Sequence, residues 1–310
     1  QNLCGYGRGQ RRPGIGHLTI QGAVMPFIEH RYGKTYYQYR GRRTSRGLPL
    51  VCLHGGPGGH SRFMTDLFKL SDERQVFIYD QVGGGRSSAT SKRQWTVATF
   101  VNELRILVDA WQLDHFHLFG WSWGTTLALE YYLKRKTSIE SLVFQSPLFS
   151  ARDWQDDANR LIRKLPAPTR KVINYCHEID ATDSRVYQVA MNLYYARHVC
   201  RNKVRAKRHR EFKNPNGNQV YQHMWGASEF SSTGTLKNYD RAGILPRVDV
   251  PSLFVCGQHD EARPSTTRRY VRAMSDARLV VIPEASHTIL AEKPARLIKQ
   301  IRQFLSQVES

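Results

Sequence analysis

The sequence predicts an α/β protein built on a mostly parallel, doubly wound sheet with a helical insertion, and three observations carry that prediction. Apolar strand-like runs alternate with amphipathic helical stretches between Leu50 and Phe144, the order that parallel βαβ units require. The alternation then lapses for about a hundred residues and resumes at Ser252. Finally, Gly120-Trp121-Ser122-Trp123-Gly124 sits between the apolar run Phe116-His117-Leu118-Phe119 and the helix-like stretch Thr125 to Leu133. That is the strand, sharp turn and helix of a nucleophile elbow.

Taken in order, residues 17–47 read as a short β meander at the antiparallel edge of the sheet. Leu18-Thr19-Ile20 and Tyr36-Tyr37-Gln38-Tyr39 are its strands, separated by Gly33 and ended by Gly41. Leu50 to Leu53 is the next strand, Phe63 to Leu70 a helix and Val76 to Tyr79 a strand. A helix over Val97 to Trp111 follows from the recurrence of Val97, Phe100, Val101, Leu104, Leu107, Val108 and Trp111 at three- and four-residue steps. Ser141 to Phe144, Ser252 to Cys256 and Arg278 to Ile282 complete the strands, and Pro294 to Val308 is a terminal helix.

The interval between Phe144 and Ser252 carries helical pieces, Ala158 to Leu165 and Val186 to Val199, and a basic run, Arg201 to Arg210. The loop-like Asn214-Pro215-Asn216-Gly217 follows. The expected division is therefore a core of residues 1–147 and 246–310 with a helical cap, 148–245, over the active-site edge of the sheet. A length of 310 residues suits one such domain better than two independent ones.

Composition narrows the class of protein. No apolar run approaches the ~18 residues of a membrane span. Lys plus Arg at 46 against Asp plus Glu at 26 gives a net charge of +20, an excess that attracts nucleic acid or anionic surfaces. No zinc-ligand spacing, RNA-binding aromatic signature or basic heptad region accompanies it, so a solvated basic surface is the reading preferred and no nucleic-acid partner is assigned. Cys4, Cys52, Cys176, Cys200 and Cys256 are scattered and odd in number, which suits free thiols in a reducing compartment. A cytoplasmic location is the expectation, with a removed signal peptide as its alternative.

The elbow names a nucleophile, Ser122, and in this architecture the acid and the base follow it in the order Ser, Asp or Glu, His on loops after late strands. Asp260 lies beyond Phe254-Val255-Cys256-Gly257, and His287 lies beyond Val280-Val281-Ile282. Position after the last two strands separates this pair from the other candidates among twelve histidines. Asp260 would hold the imidazole of His287 in the tautomer that accepts the Ser122 proton. His54-Gly55-Gly56-Pro57-Gly58-Gly59 follows the Leu50 to Leu53 strand, where the backbone N–H of Gly56 and that of Trp123 would form an oxyanion hole. Asp80 to Ser87 reads as a turn beneath the elbow, with Arg86 structural. No phosphate-loop pattern and no H-E-x-x-H occur, so neither a metal nor a cofactor is expected.

Together His54 to Gly59, Asp80 to Ser87, and Gly120 to Gly124 with the following Thr125-Thr126-Leu127-Ala128-Leu129-Glu130-Tyr131 resemble the proline iminopeptidase family of α/β-hydrolases. The resemblance runs from about residue 18 to the end of the chain. Gly226-Ala227-Ser228-Glu229-Phe230 and Thr233 to Lys237 resemble its tricorn-interacting aminopeptidase and amino-acid amidase branch. It implies an α/β-hydrolase fold and removal of an N-terminal residue, often proline, from short peptides. It also implies that two glutamates, matched here by Glu229 and Glu261, bind the substrate amine, since a buried ammonium needs carboxylate partners.

Trp121 and Trp123 depart from the family pattern and are expected to narrow or reshape the pocket; Gln258-His259-Asp260 departs as well. The expectation is a serine hydrolase that releases an N-terminal proline or small apolar residue through an acyl-enzyme on Ser122. Its alternatives are an amino-acid amidase, a carboxylesterase on the same triad, or an interaction module with a basic surface.

Overall fold

The computed structural model describes residues 26–179 and 181–310. The strand expected at Leu18 to Ile20, and Cys4, lie outside the described residues. Among the described residues eight strands form one sheet in the order β1-β2-β4-β3-β5-β6-β7-β8. The antiparallel edge is β1 (Phe27–His30) with β2 (Gly33–Arg40), and β2 pairs antiparallel with β4 (Val76–Tyr79). From β4 the ladder is parallel through β3 (Leu50–Leu53), β5 (Phe116–Trp121), β6 (Ile139–Gln145), β7 (Ser252–Gly257) and β8 (Ala277–Ile282). Strands β3, β4, β5 and β7 are buried along their whole length, the pattern of strands covered on both faces.

The chain runs outward from β3 to β4 and then crosses back to β5 on the other side. Strand order therefore reverses between β3 and β5, where doubly wound sheets open a crevice at their carboxyl ends. The glycine loop follows β3 and the elbow follows β5, so both motifs arrive at that crevice.

Helix α1 (Val97–Trp111) begins where the sequence pattern places it. Thr96 caps it by accepting a hydrogen bond from the Thr99 N–H at 3.2 Å, and Gln112 ends it in the left-handed region. With α2 (Trp123–Lys134) and α8 (Pro264–Arg272) it covers one face of the sheet. The other face takes α9 (Ile289–Glu292), α10 (Pro294–Val308) and the segment Ser61–Leu70. That last segment, expected as a helix from Phe63 to Leu70, is a 3₁₀ helix that begins at Ser61, and its apolar residues are spaced to bury Met64, Leu67, Phe68 and Leu70.

Between β6 and β7 the chain leaves the sheet for α3 (Ala151–Ile162), α4 (Ala167–Glu178), α5 (Arg185–Tyr194), α6 (Lys203–Glu211) and α7 (Pro215–Met224). These helices bury a cluster of their own, including Leu161, Ile173, Tyr187, Met191, Tyr194 and Phe230. One expectation fails here: Asn214 to Gly217 is not a loop but opens α7. Pro215 takes the first helical position, where its fixed φ and missing N–H cost nothing. The Asn214 side chain meanwhile bridges to the glycine loop, donating to the Gly58 carbonyl at 2.9 Å and accepting from the Gly85 N–H at 3.2 Å. Among the described residues no helix is long and apolar enough to cross a membrane, and Cys52, Cys176 and Cys256 are free.

Opposite the crevice, Glu309 closes the base of the sheet. Its carboxylate meets both ends of the buried Arg74 guanidinium, at 2.6 and 3.0 Å, and accepts from His117 Nε2 at 3.0 Å and the Leu48 N–H at 2.7 Å. Burial alone would raise its pKa, but the His117 and Arg74 bonds overcome this and hold it at about 2. A folded pKa below the unfolded one stabilises above the unfolded value of 4.5, and that contribution fades as pH falls toward about 2. Glu309→Ala would strand a buried arginine and is expected to cost about 3 kcal/mol. A thermal melt at pH 7 reads this as a fall of roughly 5 °C or more, with a smaller gap from wild type at pH 3.

Candidate active site

Ser122 stands alone between β5 and α2 at φ 54°, ψ −120°. That conformation is unfavourable for a residue with a Cβ, and nucleophile elbows store strain of this kind. The flanking glycines make the turn possible. A Cβ on Gly120 would lie 2.3 Å from the Gly124 carbonyl oxygen, and one on Gly124 would lie 2.2 Å from that of Leu53. The Ser122 N–H donates to the Gln145 carbonyl on β6 at 2.9 Å, fixing the turn to the next strand.

Asp260 leaves β7 in a tight turn and is buried with both oxygens engaged. Its Oδ1 accepts from the Ala262 N–H at 2.9 Å and faces His287 Nδ1 at 3.0 Å. Its Oδ2 accepts from Ser146 Oγ at 2.7 Å and the Gly257 N–H at 3.1 Å. His287 sits between two indoles, with its ring centroid 5.9 Å from Trp121 and 5.5 Å from Trp154. Burial opposes its protonation, yet the charges of Asp260 and Glu261, the Asp260 hydrogen bond and the charge of Glu229 outweigh that and push its pKa up to about 9.

Glu261 is buried next to Asp260, and its Oε1 is 3.8 Å from His287 Nδ1. Neither of its oxygens has a hydrogen bond of good geometry among the described residues. Burial, Glu229 and Asp260 drive its pKa well upward, against the pull of His287 and the nearby Tyr194 hydroxyl. Glu229 reaches the same place from the segment after α7, where Trp154 Nε1 and Trp225 Nε1 donate to its carbonyl at 2.7 and 3.2 Å. Its carboxyl is also pushed up by burial, with His287 and Tyr221 acting the other way. Among the described residues no lysine or arginine pairs with either glutamate.

The two expected oxyanion donors are held by one web. His54 Nε2 accepts from the Gln81 N–H at 3.0 Å, Gln81 Nε2 donates to the His54 carbonyl at 3.2 Å, and Trp123 Nε1 donates to Gln81 Oε1 at 2.8 Å. Gly56 adopts φ +64°, which favours glycine. The Trp123 N–H falls in the first turn of α2, where helix geometry leaves it without an intrahelical acceptor. Arg86 holds the adjoining turn together, its guanidinium 4.6 Å above the Tyr36 ring and its N–H donating to Asp80 Oδ2 at 2.8 Å.

One expectation about the pocket is corrected. The Trp123 ring does not narrow it, because the indole is buried in the core edge-on to Phe100, 5.5 Å between centroids. Trp121 does face the site, beside Gly55 and His287. Sequence reading missed Gln81, Gln145, Ser146 and Trp154. Each is an ordinary polar or aromatic residue whose role depends on which strand ends the topology brings together. The Gln81 position after β4, at the crevice, was the one available hint.

A parallel-sheet crevice with a strained serine after β5, an aspartate after β7 and a histidine after β8 defines an α/β-hydrolase. A family model for the alpha/beta hydrolase fold matches residues 49–294. The chain is 34% identical to a proline iminopeptidase of Heyndrickxia coagulans over 91% of this chain and 98% of that one. It is 31% identical to a proline iminopeptidase of Levilactobacillus brevis over 93% and 97%. The crystal structure of a Mycobacterium smegmatis proline iminopeptidase superposes with a TM-score of 0.82 at 31% identity, covering 91% of this chain and 98% of that one. The chain belongs to the proline iminopeptidase family, and it is an enzyme, a hydrolase of the aminopeptidase kind.

Proposed function

We propose that this enzyme releases the N-terminal residue of short peptides through an acyl-enzyme on Ser122. His287 takes the Ser122 proton as the hydroxyl attacks the scissile carbonyl and returns it to the departing amine. Asp260 keeps the imidazole in the tautomer that presents Nε2 to the serine. The N–H groups of Gly56 and Trp123 receive the developing oxyanion, where one donor typically contributes about 10²–10³ in turnover. Water then attacks the acyl-enzyme by the same proton route. Residues 148–245 cover the site as a cap and contribute Glu229.

The observation that carries the substrate class is the pair of carboxylates Glu229 and Glu261 beside His287, with no lysine or arginine among the described residues to pair them. Burial drives both acids' pKa values upward, and the charge of Glu229 adds to the rise at Glu261, which marks a site short of positive charge. A substrate ammonium supplies it. Glu261 Oε1 stands 3.8 Å from Nδ1 of the proposed base His287, and an ammonium held there favours a free N-terminus and cleavage after the first residue. The relatives, as proline iminopeptidases, point to proline as that residue.

The test compares prolyl, alanyl and phenylalanyl arylamides with their N-acetylated forms and an aryl acetate. Turnover restricted to free amines is expected, whereas cleavage of the acetate alone would make the enzyme an esterase. Glu229→Gln and Glu261→Gln should each raise KM for the free-amine arylamide about 10²-fold, the scale of removing one partner from a buried charge pair. An unchanged KM in both variants would remove the amine-binding role.

A further inference from the structure

The helical insertion and the acid–base pair meet at one short turn. Helix α5 passes directly into a π-helical turn, Tyr195–Val199, closed by the Cys200 N–H donating to the Tyr195 carbonyl at 2.9 Å. Such wide turns recur at functional sites, and the last carbonyls of any helix lack intrahelical donors. Here the loop carrying His287 fills two of them. The His287 N–H donates to the His198 carbonyl at 3.1 Å, and the Thr288 N–H donates to the Val199 carbonyl at 2.9 Å, with Thr288 Oγ1 adding a second bond at 2.9 Å.

The His198 side chain grips the other loop. Its Nδ1–H donates to the His259 carbonyl at 2.9 Å, one residue before Asp260. Its ring also packs 5.2 Å from that of Tyr194, whose hydroxyl neighbours Glu261. The adjoining Tyr195 lies within the fields of both Glu229 and Glu261. A single residue thus touches the histidine loop with its backbone and the aspartate turn with its side chain, while its own helix faces the carboxylate pair.

We propose that His198 is a positioning residue for the general base, registering the helical insertion on the His287 and Asp260 loops so that amine recognition and proton transfer are aligned as one unit. The proposal rests on the Ser122, His287, Asp260 reading given above. Asp260 is already held by four hydrogen bonds, from Ser146, Gly257, Ala262 and His287. The His287 carbonyl is held by Gln145 Nε2 at 3.2 Å, but its N–H is fixed from the insertion. Misplacing a reacting group by about 1 Å costs on the order of 10²-fold in rate, so a partial loosening of this contact is felt at the base first.

Three variants test it. His198→Asn keeps a side-chain N–H near the Nδ1 position, His198→Phe keeps the ring against Tyr194 without the donor, and His198→Ala keeps neither. The Phe and Ala variants are expected to lose about tenfold in kcat with KM within about twofold, and Asn to restore most of the loss, on the positioning scale above. The acid limb of their pH profile should also move to lower pH. His287 is faced by Asp260, Glu261 and Glu229, and His198 by Arg197, His259 and Asp260; a slackened Asp260 contact supports the imidazolium less. Wild-type kcat and an unmoved pH profile in the Phe and Ala variants, with only a lower melting temperature, would overturn the proposal. Ser122→Ala run alongside separates the two ideas: if it is inactive while the His198 variants are normal, the positioning role alone falls.

Discussion

Ser122→Ala is expected to lower kcat by about 10⁵–10⁶-fold while leaving KM within a few-fold, the pattern of removing a nucleophile whose partners act as a unit with it. The substitution keeps a Cβ at φ 54°, so it neither relieves nor worsens the turn. The melting temperature should barely move, which separates lost chemistry from lost folding. Labelling by a serine-directed organophosphorus probe, followed by intact mass, provides the second readout: one adduct on the wild type and none on the variant. A variant that still turns over arylamides at a tenth of the normal rate would end the acyl-enzyme proposal.

Asp260→Asn should cost about 10⁴-fold in kcat, and the reason is local. Asp260 Oδ1 faces His287 Nδ1 at 3.0 Å while accepting from the Ala262 N–H. An amide donating there in its place would favour the tautomer with its proton on Nε2, facing the serine. The pH profile carries a separate signature. The proposed base acts as neutral imidazole; with its pKa raised to about 9, kcat/KM should climb between pH 7 and 9. Removing the Asp260 charge lowers that pKa, so the acid limb of the variant moves to lower pH as its ceiling falls. Substrate ammonium groups lose their proton near pH 8 for both proteins alike, so wild type and variant are compared on the same prolyl arylamide and the difference between their acid limbs is read. Equal limbs in both proteins would show that Asp260 does not set the base.

Local chemistry made the core legible in the sequence. Seven apolar residues at helical spacing located α1 to its ends, and apolar runs located β3 to β8, because those segments take their structure from one face or two faces of burial. The proposed roles of Ser122, Asp260 and His287 were readable for a different reason: chain order and strand ends limit the candidates before any contact is known. The insertion was far less readable. Asn214 to Gly217 carries turn residues, yet a proline at a helix start and a turn proline look alike until the partner on Gly58 is seen. The Trp123 ring was misjudged because its rotamer is decided by Gln81 and Phe100, which lie 42 and 23 residues away in the chain. Ser146 and His198 carry no local signal, since what they do is hold two loops that meet only in the folded molecule.

The left-handed backbone at Ser122 has a consequence for how this enzyme changes under selection. Glycine at that position would relieve steric strain of the order of 1–3 kcal/mol, offset in part by its larger entropy loss on folding. The residue the proposed reaction needs is thus one the fold itself disfavours. A thermostability screen blind to turnover would reward its loss, so libraries of this protein selected only for heat resistance or expression should accumulate inactive clones at codon 122.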